Sequence, residues 1–224
     1  MSKPRHAKVP YILLNYDGFE KFAPEGVDKN RLNPNTIKAI YVAILHGRQG
    51  NSKDIKIKQR KLSEITGLCT EQVGRNIAKL VEHGFISVTE SNNIFGCHTY
   101  TIQCDETKNA PVPWEIAFEM GLTATELIAY AIIKKHTDLN SKEFMSYGET
   151  KQWAIRFKCS EKHVYKIKRA LMEKGIISFN RSSNAIELTW ELNNYKQNRK
   201  QHVRNTVNSK NMQEEKNNAN ADII

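Results

Sequence analysis

Two stretches of this chain collect side chains suited to polyanions. Thr70, Gln72, Arg75 and Lys79 occupy the first, and Lys162, His163, Lys166 and Arg169 the second. Hydroxyl, amide, guanidinium and ammonium groups are the ones that bond phosphate oxygens and base edges. The whole chain leans the same way. Its 224 residues hold 34 Lys and Arg against 24 Asp and Glu, a net charge of +10, and the pI is near 9.4. Such a surplus favours a polyanionic partner, with nucleic acid ahead of an acidic membrane surface.

Apolar residues are interleaved with these groups at three-and-four spacing: Val73, Ile77 and Leu80 in one stretch, Val164, Ile167 and Leu171 in the other. That period predicts two amphipathic helices with the polar groups on their outer faces. The helices belong to an internal repeat, because residues 62–84 and 153–175 align without a gap at an offset of 91. Each copy continues into Phe85-Ile86-Ser87 or Ile176-Ile177-Ser178. Repetition of this kind marks a duplicated structural unit.

Each unit can be extended outward from its outer-facing helix. A short helix precedes it, with Cys69 or Ser160 at the N-cap; Ser160 suits that role and Cys69 departs from it. Gly84 and Gly175 stand where a helix end needs left-handed backbone. The β-prone runs 85–89 with 97–103, and 176–180 with 185–190, predict two hairpins. A further helix opens each unit. Ile37, Ile40, Tyr41, Ile44 and Leu45 form its stripe after Asn33-Pro34, and Leu127, Ile128, Ala131 and Ile132 do so after the capping box Thr123-Ala124-Thr125-Glu126. The expected fold is mainly α with small β-hairpins, an α+β class of two tandem units, each helix, helix, helix, hairpin.

The boundaries follow from composition. Residues 1–32 read as an N-terminal arm, 33–104 as the first unit, 105–113 as a polar, Pro-punctuated linker and 114–192 as the second unit. Residues 193–224 are rich in Asn, Lys, Gln and Arg and are expected to be a disordered tail. Lys53, Lys56, Lys58, Arg60 and Lys61 alternate in part with Ile55 and Ile57, which predicts a half-buried strand with a solvated outer face.

Several function classes find no support in the residues. There is no Gly-rich phosphate loop, HExxH or GxSxG, so no enzyme and no cofactor are expected. Cys69, Cys97, Cys104 and Cys159 form no CxxC pair, so reduced thiols and no metal site are expected. No run approaches the roughly 18 apolar residues of a spanning helix and no apolar signal core is evident, so a cytoplasmic protein is expected. Trp114, Trp153 and Trp190 read as core residues rather than stacking platforms for single strands.

Both copies resemble winged helix-turn-helix domains. The first matches their pattern through Leu62, Ser63, Gly67, Val73, Ile77, Leu80, Gly84 and Ile86. The second matches through Ala154, Ser160, Val164, Leu171, Gly175 and Ile177, and departs from it at Trp153, Lys158 and Lys168. Tandem units in a chain of this size are similar to the plasmid and phage replication initiators of low-GC Gram-positive bacteria. The run from Val112-Pro113-Trp114 through Gly121 to Tyr130 looks like the start of a domain in those proteins.

The resemblance implies sequence-specific binding of double-stranded DNA with repeated half-sites about 10 bp apart, recruitment of host replication proteins, and a place on the plasmid or nucleoid. In that mode Gln72 would pair with adenine, Arg75 with guanine, and Thr70 with a phosphate or base edge. Lys79 shares the outer face of that helix. Lys162, His163, Lys166 and Arg169 would form the more cationic surface, giving backbone attraction. Arg181, at the second hairpin tip, would lie against a phosphate or in the minor groove, whereas the first tip, Ser91-Asn92-Asn93, carries no positive charge. The same core pattern serves transcription repressors, so a repressor of a mobile element and an interaction adaptor without DNA both stay open. So does a homodimer beside a monomer.

Overall fold

Helix and small antiparallel sheets alternate along the computed structural model, which describes residues 6–20, 33–48, 52–89, 97–104, 107–137, 144–180 and 182–197. Strand β1 (His6–Pro10) and helix α1 (Tyr11–Asn15) come first. Then follow α2 (Pro34–His46), β2 (Asp54–Lys58), α3 (Gln59–Thr66), α4 (Thr70–Glu82), β3 (Ile86–Thr89) and β4 (Cys97–Ile102). Strand β5 (Asn109–Pro113) and a π-helical turn (Glu115–Glu119) lead to α5 (Ala124–Lys135), β6 (Met145–Tyr147), α6 (Thr150–Phe157), α7 (Glu161–Glu173), β7 (Ser178–Asn180) and β8 (Ala185–Glu187). Helix α8 spans 189–197. The 91-residue offset carries α3 onto α6 and α4 onto α7 residue for residue.

Local chemistry explains the helix boundaries. The Asn33 side chain accepts from the Asn35 N–H at 2.9 Å. Thr123 and Glu126 exchange reciprocal bonds of 2.9 and 3.3 Å, the capping box expected there. Ser160 Oγ accepts from the His163 N–H. At the equivalent start of α4, Gln72 Oε1 accepts from the Cys69 N–H at 3.3 Å, the bond that the N3 side chain supplies in a capping box. Gly67 ends α3 at φ 69°, and Lys158 ends α6 in the same left-handed region at φ 55°. A side chain in that conformation is disfavoured. Here Lys158 Nζ bonds the Asn15 carbonyl at 2.9 Å and pairs with Asp17, so α6 is fastened to the N-terminal segment.

The hairpins each take a third strand. Their sheets run β2-β4-β3 and β6-β8-β7. In the first, Tyr100 stands opposite both Ile55 and Val88. In the second, Ile186 stands opposite both Ser146 and Phe179. Ile55 and Ile57 are buried with Lys56 and Lys58 exposed, the alternation read from the basic run, although the strand ends at Lys58 and Arg60 and Lys61 belong to α3. Strand β6 carries no such alternation and was not expected.

Three expectations about the boundaries need correction. The linker assigned to 105–113 contains β5, which pairs antiparallel with β1 from His6 opposite Pro113 to Pro10 opposite Asn109. Ala110 and Val112 are fully buried in it; alternate residues of a Pro-punctuated run still suit a two-stranded edge. The arm assigned to 1–32 is not peripheral in its described part, since Ala7, Val9, Leu13 and Leu14 are buried. The second hairpin strand stops at Glu187 rather than 190, and α8 begins at 189, inside what was read as strand and tail. Leu188 is buried and turns the chain so that Glu191 meets Lys134 Nζ at 2.8 Å and Tyr130 Oη at 2.5 Å. The rest of the tail, 198–224, lies outside the described residues.

The core is continuous across both units. Helices α2 and α5 pack against each other, and every residue from Ile37 to His46 and from Leu127 to Lys134 is buried. Helix α1 straps the pair: Leu14 O accepts from buried Lys38 at 3.1 Å, and Asn15 Oδ1 from Lys135 at 2.6 Å.

Burial disfavours the charged forms of His46 and Lys168. His46 has neither ring nitrogen bonded and lies edge-on to Trp114 and Phe118. Desolvation, with the charge of His6 behind it, lowers its pKa from 6.5 to about 4. The unfolded chain therefore binds the proton first, and stability falls as pH drops from 6.5 towards 4. Urea melts are expected to lose about 2 kcal/mol from this group between pH 7 and pH 5, and His46→Leu to flatten that dependence. Lys168 replaces Ile77 of the first copy, is buried, and holds its Nζ 4.1 Å from the Phe179 ring centroid without a hydrogen-bond partner. Desolvation lowers its pKa to about 8. Lys168→Ile is expected to raise stability at pH 7 by on the order of 1 kcal/mol, an increment that shrinks as pH rises from 8 towards 10.5.

Candidate nucleic-acid interface

In each unit the helix pair α3–α4 or α6–α7 turns through a left-handed residue, Gly67 or Lys158. The second helix of each pair seats one face in the core. Val73, Ile77 and Leu80 are buried in α4, as are Val164, Ile167 and Leu171 in α7. Asn76 adds a polar tie, its Oδ1 accepting from Thr36 Oγ1 of α2 at 3.3 Å. The remaining face of each helix points away from the core, which is where the sequence placed the polar groups.

The two outer faces differ in charge. On α4, Thr70 and Gln72 are exposed, but Gln72 is turned back on its own helix start. To read a base it must release that cap, which costs about 1 kcal/mol. Arg75 is 38% exposed and lies 3.9 Å from Glu71, and Lys79 is 2.7 Å from Glu82. Each cation of α4 thus has a carboxylate one turn away. On α7, Lys162, His163 and Lys166 are exposed and form no ion pair with another described residue. Arg169 pairs with Glu173 at 2.7 Å in a fully solvated setting, 82% exposed; such pairs contribute only a few tenths of a kcal/mol.

The most exposed large apolar side chain of α7 is not among the sequence-predicted residues. Tyr165 is 59% exposed and lies between Lys162 and Arg169 on the helix face. Comparison with its repeat equivalent, Gly74, is the signal that could have found it. Arg181 falls outside the described residues, as does 90–96, which contains the other hairpin tip. Of the tryptophans, Trp153 is fully buried in the core, while Trp114 and Trp190 are half-buried.

Among the described residues no group of three His, Cys, Asp or Glu could hold a metal ion, and no helix is long and apolar enough to cross a membrane. Cys104 Sγ lies 2.8 Å from Tyr41 Oη. No protein-family model matches the chain, and no curated protein sequence matches it.

The charge difference has a measurable consequence on any polyanion. Lys162→Gln with Lys166→Gln is expected to bring elution from heparin to clearly lower salt. Arg75→Gln with Lys79→Gln should shift it less, because Glu71 and Glu82 already offset those cations. An equal shift for the two double variants would contradict the asymmetry.

Proposed function

We propose that the chain is a sequence-specific double-stranded-DNA-binding protein of two winged helix-turn-helix units, acting as a replication initiator of a plasmid or phage. The observation that carries this reading is the recurrence of helix, strand, helix, helix and hairpin in both halves, each presenting the outer face of its third helix. In this reading α4 and α7 enter successive major grooves, N-terminal halves first. Thr70, Gln72 and Arg75 carry base readout, with Lys79 beside them. Lys162, His163, Lys166 and Arg169 hold mainly phosphates. Arg181, which the sequence assigns to the second hairpin tip, is expected to extend the contact. The partners are a duplex with two half-sites and, at an origin, the host replication proteins.

The shared core adds a geometric requirement. Because α2 packs on α5 and β1 on β5, the two reading helices are held at one separation. Affinity is therefore sensitive to the distance between half-sites.

The test is duplex binding by the full chain over a range of salt, followed by footprinting around its own gene. The expected result is a steep fall of log K with log salt and two protected half-sites. Inserting about half a helical turn, roughly 5 bp, between them should reduce affinity to that of one half-site. Flat salt dependence would replace this reading with an interaction adaptor. Protection of a promoter, with plasmid copy number unchanged on deletion, would make the protein a repressor instead.

A further inference from the structure

Gly74 and Tyr165 are equivalent residues of the two reading helices, and neither core packing nor backbone conformation explains the difference between them. Glycine inside a helix is about 1 kcal/mol worse than alanine. Gly74 is not among the positive-φ glycines, and a Cβ there would meet nothing within 4 Å. Neither backbone conformation nor packing demands it. The outer face of α4 is correspondingly low at this point.

Tyr165 makes the same point of α7 prominent. The residue is 59% exposed, so it adds little to the core, and a helix restricts aromatic rotamers. Its one hydrogen bond is accepted by the hydroxyl from Thr150 Oγ1, the first residue of α6, at a long 3.4 Å. Lys162 lies three residues before it, Lys166 one after and Arg169 four after, all exposed. The ring therefore stands in the first half of the helix, where base edges are met, with cations on either side for the phosphates.

We propose that Tyr165 is the specificity-determining residue of the second unit, its ring edge packing on the C5 methyl of a thymine in the major groove. The proposal rests on the duplex-binding reading above. It follows that the two half-sites are unlike: one is met by a smooth helix bearing amide and guanidinium groups, the other by an aromatic flanked by ammonium groups. The site has no internal symmetry even though the scaffold repeats.

The experiment selects the preferred duplex for the full-length protein, then measures binding of the wild type, Tyr165→Ala and Tyr165→Phe. Each thymine is then replaced in turn by deoxyuracil, which lacks the methyl. Tyr165→Ala is expected to lose about tenfold on the selected duplex while keeping its salt slope and its affinity for random sequence. One deoxyuracil in the second half-site should weaken the wild type and Tyr165→Phe but leave Tyr165→Ala indifferent. An unchanged melting temperature for Tyr165→Ala shows that folding is intact. Wild-type affinity of Tyr165→Ala on a selected site overturns the proposal and leaves duplex binding standing. So does a Tyr165→Phe that loses as much as Tyr165→Ala, or a Tyr165→Ala that changes only the oligomeric mass, which would assign the ring to an interface between copies. A wild type without salt-dependent duplex binding removes the duplex-binding reading itself.

Discussion

Everything in this fold depends on the burial of α2 against α5. A helix at the surface of a domain is apolar along one stripe. These two are covered on every side, because each closes its own unit and also backs onto the other. The consequence is a single core through which the two repeats are joined. Strands β1 and β5 and the strap of α1 complete that junction, and polar residues caught inside it must find internal partners. Lys38 finds a carbonyl and Lys134 finds Glu191, while His46 gives up its proton instead.

Within the common scaffold, the copies differ most where the repeat pattern is broken. Lys158 takes the left-handed position of Gly67 and uses its ammonium group to hold the N-terminal segment. Lys168 takes the buried position of Ile77 and lies against Trp153 and Phe179. Tyr165 takes the position of Gly74 and projects outward. The first ties the second unit to the N-terminal segment and the second burdens its interior; the third alters only its outer face. A duplicated scaffold has thus acquired two surfaces of different charge and relief, which is the property that the proposed reading of unlike half-sites uses.

Much of this was legible in the residues. The constant offset of 91, the turn at Asn33-Pro34, the caps at Thr123 and Ser160, the glycines after the long helices and the alternation of Ile55 with Ile57 each report a local rule. Local rules act through a few neighbouring atoms, so they survive without knowledge of the rest of the chain. The signal for all-round burial was present too, since Ala39, Val42, Ala43, Ala129, Tyr130 and Ile133 lie off the expected stripes. Taking only the amphipathic stripe of each helix left the second buried face unaccounted for.

What the sequence by itself determined is the order of the three helices and the hairpin in each unit and which face of α4 and α7 looks inward, because helical period and capping depend on residues within a few positions of one another. Tertiary structure alone decided that 109–113 is a strand and not a linker, that α8 turns Glu191 onto Lys134, and that Gln72 caps its own helix. Those outcomes depend on partners far away in the chain: β1 for β5, α5 for α8. For Gln72 the choice between a cap and an outward pose is a matter of a single hydrogen bond, too small a difference for spacing to reveal.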